Sequence, residues 1–179
     1  MMNKRLILMV GVAGSGKSTN AKKFYTYMTD LGHTCAIISR DVIRFALLKD
    51  GEDYFSHEDD VWINFVNQAA ESLRVNEITI LDATHLTAAA RKKIVDAVKK
   101  KYWDEDISLE AVVMDECVDT CLKNNANRVG RAHVPEATIW RMCEQLTIPT
   151  KAEGFNKVIL TCWNPELEDY DVDMKWSEL

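Results

Sequence analysis

The octapeptide GVAGSGKS, residues 11–18, directly follows the apolar run LILMV at residues 6–10. It matches the pattern G-x-x-x-x-G-K-S, in which glycines let the backbone turn tightly so that several N–H groups point at one anion. A helix beginning near Lys17 would add the positive potential of its N-terminus. A buried strand, a glycine loop and a helix in this order restrict the chain to folds that bind a phosphate at the carboxyl edge of a sheet.

This loop predicts a nucleoside triphosphate site with ATP as donor and Mg²⁺ as metal. Lys17 would neutralise the β- and γ-phosphates, and the Ser18 hydroxyl would be a ligand of Mg²⁺. The predicted nucleotide-binding residues of the loop are Gly11, Ala13, Gly14, Ser15, Gly16, Lys17, Ser18 and Thr19.

Strand-like and helix-like segments alternate along the rest of the chain. Apolar runs typical of strands lie at 6–10, 34–39, 77–82, 109–114 and 157–161. Stretches with helical periodicity lie at 17–31, 41–49, 58–75, 87–102, 118–127 and 136–146. This alternation predicts an α/β fold, in which a parallel sheet is covered by helices on both faces.

Two observations select a small kinase among the proteins that carry such a loop. A GTPase would need the guanine-reading sequence N-K-x-D after a late strand, which the chain lacks, and 179 residues are too few for a motor or helicase core. We therefore expect a single P-loop NTPase kinase domain over 1–179, with about five strands in the order 2-3-1-4-5. A helical lid is expected at about 118–147 and an irregular acidic tail at about 164–179.

Net charge and cysteine content make some classes of protein less compatible with this sequence. A net charge of -6 disfavours extensive binding of duplex nucleic acid, although a local basic cleft is compatible with it. Five cysteines without zinc-site spacing are typical of reduced thiols in a cytosolic protein. The run LILMV is too short to span a bilayer and precedes a glycine loop, not a cleavage site. We expect a cytoplasmic protein without membrane attachment, and no protein partner is evident.

Charged residues follow at positions that suit phosphoryl transfer. Asp82 ends the third predicted strand beside the loop, where an acid can hold a Mg²⁺-bound water; alternatively, it caps the next helix. Arg128 and Arg131 flank Gly130 in the predicted lid. A lid arginine can meet the charge on the transferred phosphoryl group, whereas the alternative is a pair of solvated surface residues.

The segment ISRDVIRF, residues 38–45, places Asp41 and Arg44 three positions apart and hence on one face of a helix. A carboxylate within hydrogen-bond reach can accept the proton of an attacking alcohol, and a nearby arginine can orient it. The alternative is that Asp41 is a helix N-cap and Arg44 a surface charge. A capping box would need Glu or Gln at the position of Arg44, so the pattern favours the acid–base role.

The motifs GVAGSGKST, ISRDVIR, ILDATHL and NR…VP occur in this order. With them the chain resembles the polynucleotide 5′-hydroxyl kinases, from about residue 6 to the helix after Pro135. The resemblance implies ATP-dependent transfer of a phosphoryl group to the 5′-hydroxyl of a DNA or RNA end. Two positions depart from the family pattern: Asn124 replaces the first lid arginine, for which Arg131 could compensate, and Ala83 stands where the family has its acid.

The resemblance also implies roles for single residues. Asp41 would be the general base, and Arg44 would orient it and contact the acceptor phosphate. Arg128 would bind the ATP phosphates, and Thr84 would lie near the acceptor. His85, next to Thr84, is expected to bind substrate at the same place.

Three further hypotheses stay open. The same chemistry could act on a small molecule such as a nucleoside, a sugar or an antibiotic, which the acidic composition allows. The chain could also be a non-catalytic nucleotide-binding module that signals by lid closure. The basic run RKKIVDAVKKK at 91–101 is expected to be a solvated helix face, or else a guide for the phosphates of an acceptor.

Overall fold

The computed structural model describes residues 4–103, 106–164 and 169–173, with the backbone alone described for 163–164 and 169–173. Its described strands are β1 Arg5–Val10, β2 Cys35–Ser39, β3 Ile78–Asp82, β4 Ser108–Met114, β5 Lys157–Asn164 and β6 Asp169–Asp173. Its described helices are α1 Lys17–Asp30, α2 Arg40–Leu47, α3 Glu58–Val75, α4 Ala88–Lys101, α5 Val118–Ala126 and α6 Glu136–Gln145. Within these ranges, none of the helices has the length and apolar character needed to cross a membrane.

The strands form one sheet in the order β2-β3-β1-β4-β5-β6. The pairs from β2 to β5 are parallel, which confirms the predicted order 2-3-1-4-5 and the P-loop kinase fold class. β6 pairs antiparallel with β5 at the edge of the sheet, in the segment that was expected to be irregular. Its sequence DYDVD alternates between polar and apolar residues, a strand signal that the acidic composition obscured.

The central strand β1 is buried on both faces. Leu6, Leu8 and Val10 pack into a core cluster with apolar residues of α3 and α4. Ile7 and Met9, which point to the opposite face, pack with apolar residues of α1. Because successive side chains of a strand point to opposite faces, the continuous apolar run of β1 supplies both cores at once.

The segments that were predicted to form the active site lie at the carboxyl ends of three neighbouring strands. The glycine loop follows β1, α2 follows β2, and Asp82 is the last residue of β3. Ser39 and Asp82 lie opposite each other in the register of β2 and β3, so these two strands end at the same level. A third apolar cluster, which includes Val12 and Cys121, packs the loop against α5 and α6.

Candidate active site

The loop between β1 and α1 packs tightly against α5. Gly14 has φ 85°, a left-handed conformation that glycine adopts without strain. A Cβ at this position would lie 2.2 Å from the carbonyl oxygen of Cys121, so only a glycine allows α5 to approach this closely. The Asn124 side chain donates from Nδ2 to the carbonyl oxygen of Gly14 at 2.9 Å. The residue that replaces the family's first lid arginine therefore anchors α5 to the loop.

Lys17 lies buried at the start of α1, where its Nζ donates to the carbonyl oxygen of Val12 at 2.6 Å. Burial lowers the pKa of Lys17 to about 8; the negative charge of Asp82 opposes this shift, and the positive charge of Arg128 adds to it. Asp41 also acts electrostatically on Lys17. Lys17, Asp82, Arg128 and Asp41 come from four different segments, and the fold places them within electrostatic range of one another.

Ser18 and Asp82 form the pair expected at a metal site. The Ser18 hydroxyl donates to Oδ2 of Asp82 at 2.8 Å. Thr87, not Asp82, caps α4, since its side chain accepts a hydrogen bond from the N–H of Ala90. A hydroxyl and a carboxylate in contact are oxygen ligands that fit Mg²⁺, either directly or through water.

Thr84 contacts the loop through its backbone. Its carbonyl oxygen accepts a hydrogen bond from the N–H of Gly11 at 3.0 Å. The end of β3 is thereby tied to the beginning of the glycine loop.

A cavity of about 580 Å³ opens above the loop. Its lining residues are Gly14, Ser15, Gly16, Lys17, Ser18, Thr19, Glu116, Thr120, Lys123, Asn124 and Arg128. Glu116, Thr120 and Lys123 were not predicted as site residues from the sequence. Their position after β4 could have indicated this role, because β4 is the neighbour of β1 and its carboxyl end lies at the same edge of the sheet.

The two predicted lid arginines lie in different places. Arg128 lines the cavity, and its Nη1 lies 3.5 Å from the carbonyl oxygen of Ala132. Arg131 does not line it; its Nη2 instead donates to the carbonyl oxygen of Lys49 at 3.0 Å. The structure therefore does not bring Arg131 to the loop, where it was expected to bind nucleotide and to compensate for Asn124.

Asp41 and Arg44 form a hydrogen-bonded pair at the start of α2. Ser39 is the N-cap of this helix, so the capping alternative for Asp41 is wrong. Arg44 is only 6% exposed, so it is not a surface charge. Its Nη1 donates to Oδ1 of Asp41 at 2.5 Å. The Asp41 side chain remains 62% exposed.

Glu58 and Tyr54 complete this cluster, and both were missed in the sequence. Oε1 of Glu58 accepts hydrogen bonds from Nε and Nη2 of Arg44 at 2.8 and 2.6 Å. Its Oε2 accepts a bond from Arg40 at 2.7 Å. The Tyr54 hydroxyl lies 2.7 Å from Nη1 of Arg44 and 2.9 Å from Oδ1 of Asp41. Neither residue belongs to a motif, and the only signal was the charge of Glu58 at the start of a helix.

His85 lies in the core and not on a surface open to substrate, unlike the expectation. Its Nδ1 is 2.8 Å from the carbonyl oxygen of Met9, and its ring stacks against Phe65 at a centroid distance of 6.2 Å. Burial lowers the pKa of His85 to about 4, so the imidazole is neutral at pH 7 and donates from Nδ1 to Met9. Its positive φ of 45° turns the chain between β3 and α4.

The basic run on α4 is only partly a solvated face. Lys92 is exposed and pairs with Asp96 at 2.8 Å. Arg91 is buried and forms a bidentate pair with Glu153, at 2.8 and 3.0 Å. It also donates to backbone carbonyl oxygens, among them those of His85 and Leu86. Arg91 thus joins α4 to the segment before β5, which its place in a lysine-rich run did not reveal.

The parallel sheet, the glycine loop with its buried lysine and the Ser18–Asp82 pair define a protein with a P-loop kinase-like fold, which implies nucleotide binding. A family profile described as an AAA domain (AAA_33) matches residues 6–149, and the chain belongs to this family. A comparison of the sequence with curated proteins finds no match.

Solved structures share the fold at low sequence identity. A chain of the Pnkp1/Rnl/Hen1 RNA repair complex superposes with a TM-score of 0.66 at 21% identity, over 82% of this chain and 45% of that one. Kti12 of Chaetomium thermophilum in complex with ADP-AlF3 has a TM-score of 0.66 at 16% identity, over 89% of each chain. A gluconokinase from Sinorhizobium meliloti has a TM-score of 0.56 at 16% identity, over 94% of this chain and 89% of that one. The chain spans less than half of the RNA repair protein, and these likenesses establish the fold alone.

Proposed function

We propose that the protein is an ATP-dependent kinase that transfers a phosphoryl group to the 5′-hydroxyl of a polynucleotide end. The observation that carries the proposal is Asp41, a solvent-accessible carboxylate that is held by a buried arginine and acts electrostatically on Lys17. A carboxylate that can accept the proton of an alcohol thus interacts electrostatically with the lysine that would hold the donor phosphates.

The donor side uses the loop and the cavity above it. The loop N–H groups, Lys17 and Arg128 would bind the phosphates of ATP. Ser18 and Asp82 would hold Mg²⁺, which when bound neutralises charge on the β- and γ-phosphate oxygens. Of these groups, Arg128 comes from the helix–loop–helix segment, so its position depends on how that segment sits over the cavity.

The acceptor side uses Asp41 and Arg44. The acceptor oxygen attacks the γ-phosphorus while its proton passes to a carboxylate oxygen of Asp41. The bond between the γ-phosphorus and the β–γ bridging oxygen breaks, and ADP leaves. Arg44 cannot easily turn away from Asp41, since Glu58 holds its other two nitrogens.

Aromatic rings beside Asp41 support an acceptor that carries a nucleobase. Tyr54, which touches Asp41, contacts Phe45 and Phe55 edge to face at centroid distances of 6.0 and 4.9 Å. Phe45 is 41% exposed and Phe55 is 64% exposed. Bases stack on such rings without regard to sequence, whereas a sugar acid has no planar face to place there.

Acidic residues near the acceptor side favour a second candidate, a kinase of a small hydroxyl compound. The segment between α2 and the first turn of α3 carries Asp50, Glu52, Asp53, Asp59 and Asp60, besides Glu58, whose charge is compensated by Arg40 and Arg44. These charges repel the phosphates of a long strand, whereas they leave a neutral acceptor unaffected.

Transfer of labelled phosphate from ATP separates these functions. The acceptors are a 5′-hydroxyl oligonucleotide, the same oligonucleotide with an abasic 5′ residue, and two neutral compounds, a nucleoside and glucose. We expect transfer to the oligonucleotide, weaker transfer to the abasic form, and loss of transfer in Asp41→Asn but not in the exposed control Asp96→Asn. Transfer only to a metabolite contradicts the polynucleotide substrate. ATP binding without transfer to any acceptor, in the wild type and both variants, supports the nucleotide-binding module.

A further inference from the structure

Tyr54 reaches the carboxylate of Asp41 from the segment between α2 and α3. Its hydroxyl donates to Oδ1 of Asp41 at 2.9 Å and accepts a hydrogen bond from Nη1 of Arg44 at 2.7 Å. The same Nη1 donates to Oδ1 of Asp41 at 2.5 Å. The three groups therefore form a closed triangle of hydrogen bonds.

Both donors of this triangle bind the same oxygen of Asp41. Among the residues that the structure describes, no hydrogen bond reaches Oδ2. The Asp41 side chain is largely exposed, so Oδ2 is open to an incoming group while Oδ1 is committed to the protein. The two oxygens are therefore not equivalent as proton acceptors.

We propose that Tyr54 is a positioning residue, which together with Arg44 holds Oδ1 of Asp41 and so presents Oδ2 to the acceptor hydroxyl. This inference rests on the proposed function, because it takes Asp41 as the proton acceptor. It adds a residue that no motif of the chain contains. It also assigns the proton to one atom, Oδ2, as the phosphoryl group is transferred.

The surroundings hold Tyr54 in place. The Arg44 guanidinium lies over its ring at 4.4 Å from the centroid, a cation–π contact. The rings of Phe45 and Phe55 flank it edge to face. Arg44 is itself held by Glu58, so the phenol contacts a fixed partner.

The phenol remains a donor over the working range of a kinase. Burial raises the pKa of Tyr54 to about 12, and the negative charge of Asp41 shifts it in the same direction. The hydroxyl is therefore protonated at neutral and mildly alkaline pH and can keep its bond to Oδ1.

Tyr54→Phe tests this role, since it keeps the ring and its packing and removes only the hydroxyl. We expect kcat for phosphoryl transfer to fall about tenfold, because a hydrogen bond to a charged group is lost while Arg44 remains. The KM for ATP should not change, and the unfolding midpoint should fall only slightly, since the two hydrogen bonds of the hydroxyl are lost while the ring keeps its packing. The matched control is Tyr27→Phe, which removes the hydroxyl of an exposed tyrosine on α1 and should leave kcat unchanged.

A double-mutant cycle shows whether Tyr54 acts through Asp41. Residual transfer by Asp41→Asn is measured in single turnover with enzyme in excess, with and without Tyr54→Phe. We expect no further loss in the double variant. An unchanged kcat in Tyr54→Phe, or an equal loss in both backgrounds, overturns the inference while leaving the kinase proposal intact. Full activity of Asp41→Asn would instead remove the proton acceptor on which both proposals depend.

Discussion

Lys17→Met is expected to stabilise the nucleotide-free protein while it abolishes nucleotide binding. The Lys17 ammonium is buried, and its pKa falls from 10.5 to about 8 because burial penalises the charge more than Asp82 compensates for it. One pKa unit corresponds to about 1.4 kcal/mol, so keeping this charge in the fold costs about 3 kcal/mol at pH 7. Methionine has a similar length and no charge. We expect a gain of about 1–3 kcal/mol, since the hydrogen bond to Val12 is lost at the same time.

The pH dependence of this gain is a sharper test than its size. Between pH 8 and 10.5 the unfolded chain keeps a proton on Lys17 that the folded protein releases. The wild type therefore gains stability relative to the variant as pH rises. The free-energy cost of burying the Lys17 charge falls from about 3 kcal/mol at pH 7 to about 2 kcal/mol at pH 9 and about 1 kcal/mol at pH 10.

The assay is urea denaturation of both proteins at these three pH values, together with ATP binding at pH 7. Lys22→Met, an exposed lysine on the same helix, is the control; it should show neither the gain nor its pH dependence. A Lys17→Met protein that is less stable than the wild type at pH 7, or a gain that stays constant up to pH 10, would refute the reasoning. Either result would mean that the ammonium is already well solvated or well paired.

Two further substitutions test the packing around the site by denaturation. Gly14→Ala places a methyl group against a backbone carbonyl of α5 and should lower the free energy of unfolding by about 3 kcal/mol. Gly51→Ala, at φ 83° with open space around it, should lower it by only about 1 kcal/mol. Equal losses of stability would show that α5 moves away to make room for the methyl group. Arg91→Met removes a buried guanidinium that pairs with the partly buried carboxylate of Glu153 and should cost about 3–5 kcal/mol, whereas Lys92→Met on the exposed face should cost less than about 0.5 kcal/mol. Similar values for these two would contradict the structural role of the buried arginine.

Much of the fold was predictable because its signals are local. The described helices and the first five strands end within about three residues of the predicted positions, since apolar runs and helical periodicity record burial directly in the sequence. The order of β1 to β5 followed from the kinase fold class that the glycine loop indicated. β6 was not predicted because its five residues form only a short alternating pattern within an acidic segment.

The site was predictable where its members are close in sequence. The glycine loop is contiguous, and Asp41 and Arg44 meet because three positions make nearly one helical turn. Tyr54 and Glu58 contact them only because the chain turns back between α2 and α3. His85 is buried against Met9, and Arg131 binds the carbonyl oxygen of Lys49 and does not line the cavity. Both positions depend on neighbours that are distant in the sequence.

The sequence by itself determined that a phosphate would bind at the end of β1, because backbone N–H groups and one lysine within a single loop create that site. It also determined that a carboxylate and an arginine would share one face of α2. Only the tertiary structure decided which oxygen of Asp41 is free, since Tyr54 and Arg44 approach from different segments to bind the other. It alone decided that Lys17 is buried beside Asp82, because desolvation and charge act through space and not along the chain.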